Sequence, residues 1–196
     1  KAPRFAKAGE GMLAEGELGA FFRSNGDARG ANIGVTLAND NLSIAYAGST
    51  ARSDNYIAGG DFKTTTATGR LGHTLPLDEV GSTAYKAHNH ALDVAWRNGN
   101  HQFDLKLTRQ DVPFENFPNQ RMDMTANDSD RIKLGYTGQY AWGQLKAQVY
   151  REDTDHKMDF GADKRFWYGT ASGGPGAANG TPCSPLGMTC AAGMPM

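Results

Sequence analysis

Two residues in the C-terminal part of this 196-residue sequence carry its sharpest chemical signal. His156 and Met158 form a His-x-Met pair. In an extended chain, residues i and i+2 point to the same side. An imidazole nitrogen beside a thioether sulfur is a soft donor set, and soft donors select copper, Cu(I) especially. The pair therefore predicts a copper-binding site.

Other thioethers could add to this donor set. Met122 and Met124 form a Met-x-Met pair, and the C-terminal stretch contributes Met188, Met194 and Met196. We expect these residues to supply soft ligands from neighbouring loops. The alternative is that methionine fills gaps at a binding surface, and that His156 is an ordinary polar loop residue.

A second group of side chains combines cations with aromatic rings. Cations pair with carboxylates or catecholates, and rings stack on rings. The group therefore predicts binding of an anionic aromatic chelate, such as an iron–siderophore complex. Alternatively, these cations only keep the loops solvated. The residues are Arg121, Lys157, Lys164, Arg165, Phe160, Phe166, Trp167 and Tyr168.

Enzyme signatures are absent from the sequence. It contains no Gly-x-Ser-x-Gly elbow, no phosphate-binding glycine loop and no His-Glu-x-x-His motif. The acidic residues Glu152, Asp153 and Asp155 are explained by charges at the end of a strand. The net charge of -1 gives no polycation signal for nucleic acid. We therefore expect neither an enzyme nor a nucleic-acid-binding protein, and no permanently bound cofactor.

The candidate metal and chelate ligands must be positioned by the rest of the chain. That chain contains strand-length segments that alternate apolar and polar residues. A period of two sends alternate side chains to opposite faces of a sheet, so one face is apolar and the other polar. The alternation predicts seven strands, at residues 15–24, 31–38, 42–53, 83–97, 101–110, 131–139 and 142–152.

The connections between these strands are alternately short and long. Asn98-Gly99-Asn100 contains an Asn-Gly pair between alternating strands, which is a strong hairpin signal. Residues 54–82, residues 111–130 and everything after residue 153 are predicted to be long loops. Long structureless loops are uncommon in compact soluble domains, whereas outer-membrane barrels have short periplasmic turns and long outer loops. The alternative is a soluble β-sandwich or β-barrel that binds a ligand or mediates adhesion.

Composition is compatible with a barrel. Hydrophobic residues make up 39% of the chain and the mean hydropathy is -0.56, but each spanning strand shows only about half its residues to lipid. The sequence contains no run of about 18 apolar residues, so it predicts no membrane-spanning helix. Trp96, Tyr140 and Trp142 lie near short turns, where a periplasmic aromatic girdle is expected. His88 and His90 are expected on one strand face with Leu92 and Val94, at the headgroup level.

Several stretches resemble TonB-dependent outer-membrane receptors. The run from Ser24 to Ser49, followed by residues 52–56, is similar to the opening strands of that family's barrel. Residues 113–124 and 155–168 resemble outer loops of its metal and metal-chelate receptors, and His156-x-Met158 resembles the motif of its copper receptors. In those receptors the remaining Cys and Met ligands come from a plug domain.

The resemblance implies an all-β fold, an antiparallel up-and-down transmembrane β-barrel fragment. It implies that residues 1–14 are a linker from a missing plug, residues 15–154 are barrel strands and loops, and residues 155–196 are a truncated outer loop. It also implies transport of an iron chelate or of copper across the outer membrane of a Gram-negative bacterium. The partners would be the lipid bilayer, the metal-chelate substrate and, through the plug, the TonB complex.

Two cysteines lie in the last predicted loop. Cys183 and Cys190 are flanked by Pro182 and Pro195. An oxidising compartment favours a disulfide that closes this loop. Paired thiolate ligands for a metal are the alternative.

Overall fold

One antiparallel sheet of seven strands dominates the computed structural model, which describes residues 2–7, 9–64, 66, 68, 72–120 and 122–163. Two further strands form a short ribbon. The strands are β1 (Leu13–Arg23), β2 (Ala28–Ala38), β3 (Leu42–Ser53), β4 (Tyr56–Ile57), β5 (Glu79–Val80), β6 (Tyr85–Asn98), β7 (His101–Glu115), β8 (Asp123–Tyr140) and β9 (Gly143–Asp159).

Each strand of the large sheet pairs with its neighbours in chain order, β1-β2-β3-β6-β7-β8-β9, and the ribbon pairs β4 with β5. A 3-10 turn at Asn25–Asp27 joins β1 to β2. The short connections 39–41, 99–100 and 141–142 lie at one end of the sheet, which we call the turn end. The described residues of the 54–84 and 116–122 connections, and residues 160–163, lie at the other end, the loop end. The sheet is thus an up-and-down meander, and all seven predicted strands are confirmed.

The two faces of this sheet differ in chemistry along their whole width. Cross-strand pairing aligns Val35 with Tyr46, Tyr46 with Leu92, and Leu92 with Leu107 on one face. We call it the apolar face. The opposite, polar face aligns Asp93 with Lys106, and an ion pair of 3.1 Å joins these two side chains.

No second layer covers the apolar face among the residues that the structure describes. Leu134 is 49% exposed and Val149 is 64% exposed, although both lie in the middle of paired strands. Burying such a side chain is worth about 1.5–3 kcal/mol. Because leaving a row of aliphatic side chains across seven strands in water would be costly, this face favours an apolar surrounding.

Aromatic side chains collect on the apolar face at the turn end. Trp96 stacks on Phe103 with ring centroids 5.8 Å apart, and Tyr140 stacks on Trp142 at 5.1 Å. The hydroxyl oxygens of Tyr136 and Tyr140 are 2.6 Å apart. Rings with one polar atom suit the boundary between lipid and water, as expected for a girdle at this end.

Three strands extend further toward the loop end than the alternation predicts. Residues 111–115 continue β7, residues 123–130 begin β8, and residues 153–159 continue β9. The predicted long loop at 111–130 is therefore wrong, as is the prediction that everything after residue 153 is loop. Polar side chains such as Asp111, Asp128 and Asp155 interrupt the apolar face there, so the alternation disappears. The backbone hydrogen bonds that define a strand continue.

No helix among the described residues is long and apolar enough to cross a membrane.

Adjacent residues on β9 allow a test of which face meets lipid. In the full-length protein refolded into lipid vesicles, Val149→Arg should lower the free energy of unfolding by about 2–4 kcal/mol, because the guanidinium would enter the hydrocarbon layer. Gln148→Arg, on the polar face, is the matched control and should change it little. Urea titration measures both, and equal losses would contradict the assignment of the faces.

Candidate metal-binding site at the loop end

His156 and Met158 lie on the polar face of β9, near the loop end. Val149 belongs to the apolar face, and β9 continues without irregularity to residue 159. Even-numbered residues of β9 therefore share the polar face. The structure thus places the His-x-Met pair in a strand rather than in the predicted loop. It orients both side chains toward the same side.

An irregularity in β8 brings a third soft donor to this pair. His156 pairs with Asn127 and Lys157 with Ala126, but Met158 pairs with Met124, because β8 contains one extra residue at this point. Without the bulge, Thr125 would stand opposite Met158. Residues directly opposite in an antiparallel pair have Cβ atoms about 4.5–5.5 Å apart. The bulge therefore places two thioethers side by side.

Met122, the other member of the predicted Met-x-Met pair, lies just before β8 and is half-buried. Met124 is buried, with 7% of its surface exposed. The site among the described residues thus consists of His156, Met158 and Met124, with Met122 at its margin.

A chain of side-chain amides crosses the polar face beside this site. Nε2 of Gln110 donates to Oδ1 of Asn89 at 3.1 Å, and Nδ2 of Asn127 donates to Oε1 of Gln110 at 3.3 Å. Oδ1 of Asn127 lies 2.9 Å from Nδ1 of His156. These four residues, which we call the amide ladder, come from β6, β7, β8 and β9.

Two cavities lie over the polar face. One of about 500 Å³ is lined by Asn89 and Gln110 of the amide ladder, together with Ser129 and Arg131. The second, of about 1390 Å³, lies nearer the turn end, where Lys106 and Lys133 contribute to its lining. The polar face therefore borders open space from the ladder toward the turn end.

A cluster of polar side chains joins the connections at the loop end. We call it the loop clamp; it consists of Asn55, His73, Ser82, Asp123 and Asp163. Asp123, which is 2% exposed, accepts a hydrogen bond from the Ser82 hydroxyl at 2.9 Å and one from the Phe117 amide at 2.9 Å. It thereby ties the 54–84 connection to the 116–122 connection.

Asp163 extends the loop clamp to the segment after β9. Its carboxylate accepts hydrogen bonds of 2.8 Å from the Ser82 amide and from Asn55, and lies 2.7 Å from Nε2 of His73. Burial alone would raise the pKa of Asp163, but these hydrogen bonds outweigh it and hold the pKa below its usual value.

Sequence reasoning missed the loop clamp because its members are scattered over more than a hundred positions. Asn, Ser and Asp are ordinary loop residues, and nothing in their spacing distinguishes the buried Asp123 from exposed carboxylates. The amide ladder was missed for the same reason.

The pair His88 and His90 belongs to a different surface. His90 shares the apolar face with Leu92, as expected. Its Nδ1 lies 2.7 Å from the Tyr46 hydroxyl, and the two rings stack. The sheet therefore separates this pair from His156.

Several predicted residues lie outside the described part of the chain. They are Arg121, Lys164, Arg165, Phe166, Trp167, Tyr168, Cys183 and Cys190. Within the described ranges, no group of three or more His, Cys, Asp and Glu could hold a metal ion.

Comparison with known proteins identifies the fold. No family profile and no curated protein matches the chain. Among solved structures, the chain is similar to a protein described as the copper transporter OprC, with 20% identity and a TM-score of 0.59. The match covers 84% of this chain and 23% of OprC. The fold is thus that of an antiparallel transmembrane β-barrel, to which the described residues of this chain contribute a seven-stranded sheet.

Gly161 provides a test of the loop clamp. A Cβ atom there would collide with Oδ2 of Asp123, and the φ of +70° is unfavourable for any side chain. Gly161→Ala should therefore destabilise the clamp by about 1–3 kcal/mol. Gly60→Ala is the control, because nothing lies within 4 Å of its Cβ. Hydrogen exchange at the Ser82 amide measures the effect; unchanged protection in Gly161→Ala would contradict it.

Acid should loosen the same cluster. Because the folded-state pKa of Asp163 is lowered, this residue stabilises the clamp above its unfolded pKa of about 3.9. That contribution is lost as the pH falls through the lower folded-state pKa. Protection of the Ser82 amide, corrected for intrinsic exchange, should decline in acid, and less steeply in Asp163→Asn. Identical curves for the two proteins would rule out Asp163 as the titrating group.

Proposed function

We propose that this chain is part of the wall of an outer-membrane transporter barrel that captures a scarce metal, and that copper is the cargo its donor set favours. The single observation that carries the proposal is the convergence of His156, Met158 and Met124 on the polar face at the loop end. Imidazole nitrogen with thioether sulfur is a soft set that suits Cu(I). The name of the similar structure, a copper transporter, agrees with this cargo.

The arrangement of the faces supports transport through the barrel. The apolar face lacks a protein cover among the described residues and would meet lipid, so the polar face would line the lumen. Cavities of about 500 and 1390 Å³ border that face between the candidate site and the turn end. A metal captured at the loop end would therefore enter a polar space rather than lipid.

Completion of the barrel requires more strands than this sheet contains. β1 and β9 are its edges within the described residues, and an open edge in hydrocarbon leaves backbone groups unpaired at several kcal/mol each. We propose that further strands close the barrel, that a plug supplies additional soft ligands, and that coupling to TonB through this plug admits the metal. The membrane would be the outer membrane of a Gram-negative bacterium.

The competing class is a soluble β-sandwich or barrel. Such a module would bury Leu134 and Val149 against a second sheet, and these side chains are exposed here. A ferric siderophore is the second cargo. Most of its expected contacts, at Arg121 and residues 164–168, lie outside the described residues, and only Lys157 and Phe160 lie within them. The proposal therefore rests on the copper donors.

Titration of the detergent-purified full-length protein tests the cargo. The double variant His156→Ala, Met158→Ala should weaken Cu(I) binding by at least about 100-fold, because two of the soft donors are removed. Competition with a chromophoric Cu(I) chelator measures this affinity. Lys157→Ala, between the two ligands but on the opposite face, is the control and should bind normally.

Two results would count against the proposal. If the double variant keeps the wild-type affinity for Cu(I), these residues are not ligands. If the wild-type protein instead binds a ferric siderophore and not Cu(I), the cargo is an iron chelate.

A further inference from the structure

The amide ladder determines which nitrogen of His156 carries a proton. Asn127 uses Nδ2 to donate to Gln110, so its carbonyl oxygen Oδ1 faces His156. A carbonyl oxygen accepts hydrogen bonds and cannot donate them. Nδ1 of His156, 2.9 Å away, must therefore be the N–H donor. In the neutral ring, the lone pair is then on Nε2.

The rest of the ladder couples the direction in which Asn127 points to the orientations of Gln110 and Asn89. Gln110 accepts from Asn127 with Oε1 and donates to Asn89 with Nε2. Reversing Asn127 alone would bring two oxygens together at Gln110 and leave an amide donor against Nδ1–H. The three amides can therefore reverse only as a unit, which couples the tautomer of His156 to residues on three other strands.

We propose that Asn127, held by Gln110 and Asn89, is a positioning residue that keeps His156 in the Nδ1–H tautomer and directs Nε2 at the cargo metal. This inference rests on the proposed function of His156 as a copper ligand. His156 is exposed on the polar face, and Nε2 makes no hydrogen bond to another described residue. A metal ion can therefore reach it.

A ligating histidine that donates its second N–H to a carbonyl or carboxylate has a fixed ring orientation and a more basic ligand nitrogen. Loss of such a partner typically weakens metal binding by about 10–100-fold. Asn127 stands directly opposite His156 in the register of β8 and β9. Backbone pairing of the two strands therefore sets the position of the acceptor relative to the ring.

Two substitutions at residue 127 separate this role from a merely structural one. Asn127→Leu removes the acceptor at similar volume, and we expect Cu(I) affinity to fall about 10-fold or more. Asn127→Asp supplies a carboxylate that accepts from Nδ1–H but cannot reverse, so it should restore the affinity. Thr154→Val, on the same face of β9 but outside the ladder, is the control and should bind Cu(I) normally.

A second readout needs no metal. Long-range ¹⁵N–¹H correlation spectra of the ¹⁵N-histidine-labelled full-length protein in detergent report which ring nitrogen of His156 carries the proton. The wild-type protein and Asn127→Asp should show the Nδ1–H tautomer. Asn127→Leu should show a mixture in which the Nε2–H form is substantial.

The possible results separate failure of the positioning role of Asn127 from failure of the proposed copper site. If His156→Ala abolishes Cu(I) binding while Asn127→Leu binds as tightly as wild type, the positioning role is wrong and the copper site stands. A wild-type spectrum dominated by the Nε2–H tautomer would overturn the inference directly. If His156→Ala binds Cu(I) normally, the proposed function fails and the inference fails with it.

Discussion

One feature constrains the rest of the structure: no other layer of the described chain covers the apolar face of the seven-stranded sheet. Leu134, in a strand paired on both sides, is 49% exposed, and Val149 in the edge strand β9 is 64% exposed. Water would oppose such a surface by about 1.5–3 kcal/mol for each large aliphatic side chain. A hydrocarbon surrounding would remove that cost, as expected for the transmembrane β-barrel fold, and would leave the polar face for function.

The exposed apolar face explains how apolar and polar residues are distributed along each strand. Within the apolar band, one side chain in two must be apolar, and the alternation is strict. Toward the loop end, beyond the apolar band, both faces meet polar surroundings. Asp128 and Asp155 pair there on the side of the sheet that is apolar elsewhere. The strands continue there because backbone hydrogen bonding is independent of side-chain polarity. The candidate metal site lies in this outer extension.

The loop end is organised by polar contacts instead of hydrophobic burial. Asp123 and Asp163 draw together three connections through Ser82, while the amide ladder joins four strands on the polar face. Buried or shared polar groups stabilise only when each finds its partner. These contacts therefore fix the geometry of the loop end with a small number of side chains.

The sequence by itself determined the seven strands of the large sheet, their up-and-down order and the identity of the two faces, because a period of two is a local property of neighbouring residues. It did not indicate the β4–β5 ribbon, which lies in a predicted loop. It also marked His156 and Met158 as soft donors on one side of an extended chain. Only the tertiary structure decided that Met124 and not Thr125 stands opposite Met158, since a one-residue bulge in β8 changes the register without any local signature. Tertiary structure likewise set the contacts of Asp123 with Ser82, 41 positions away, and of His156 with Asn127, 29 positions away. No pattern of nearby residues encodes these contacts.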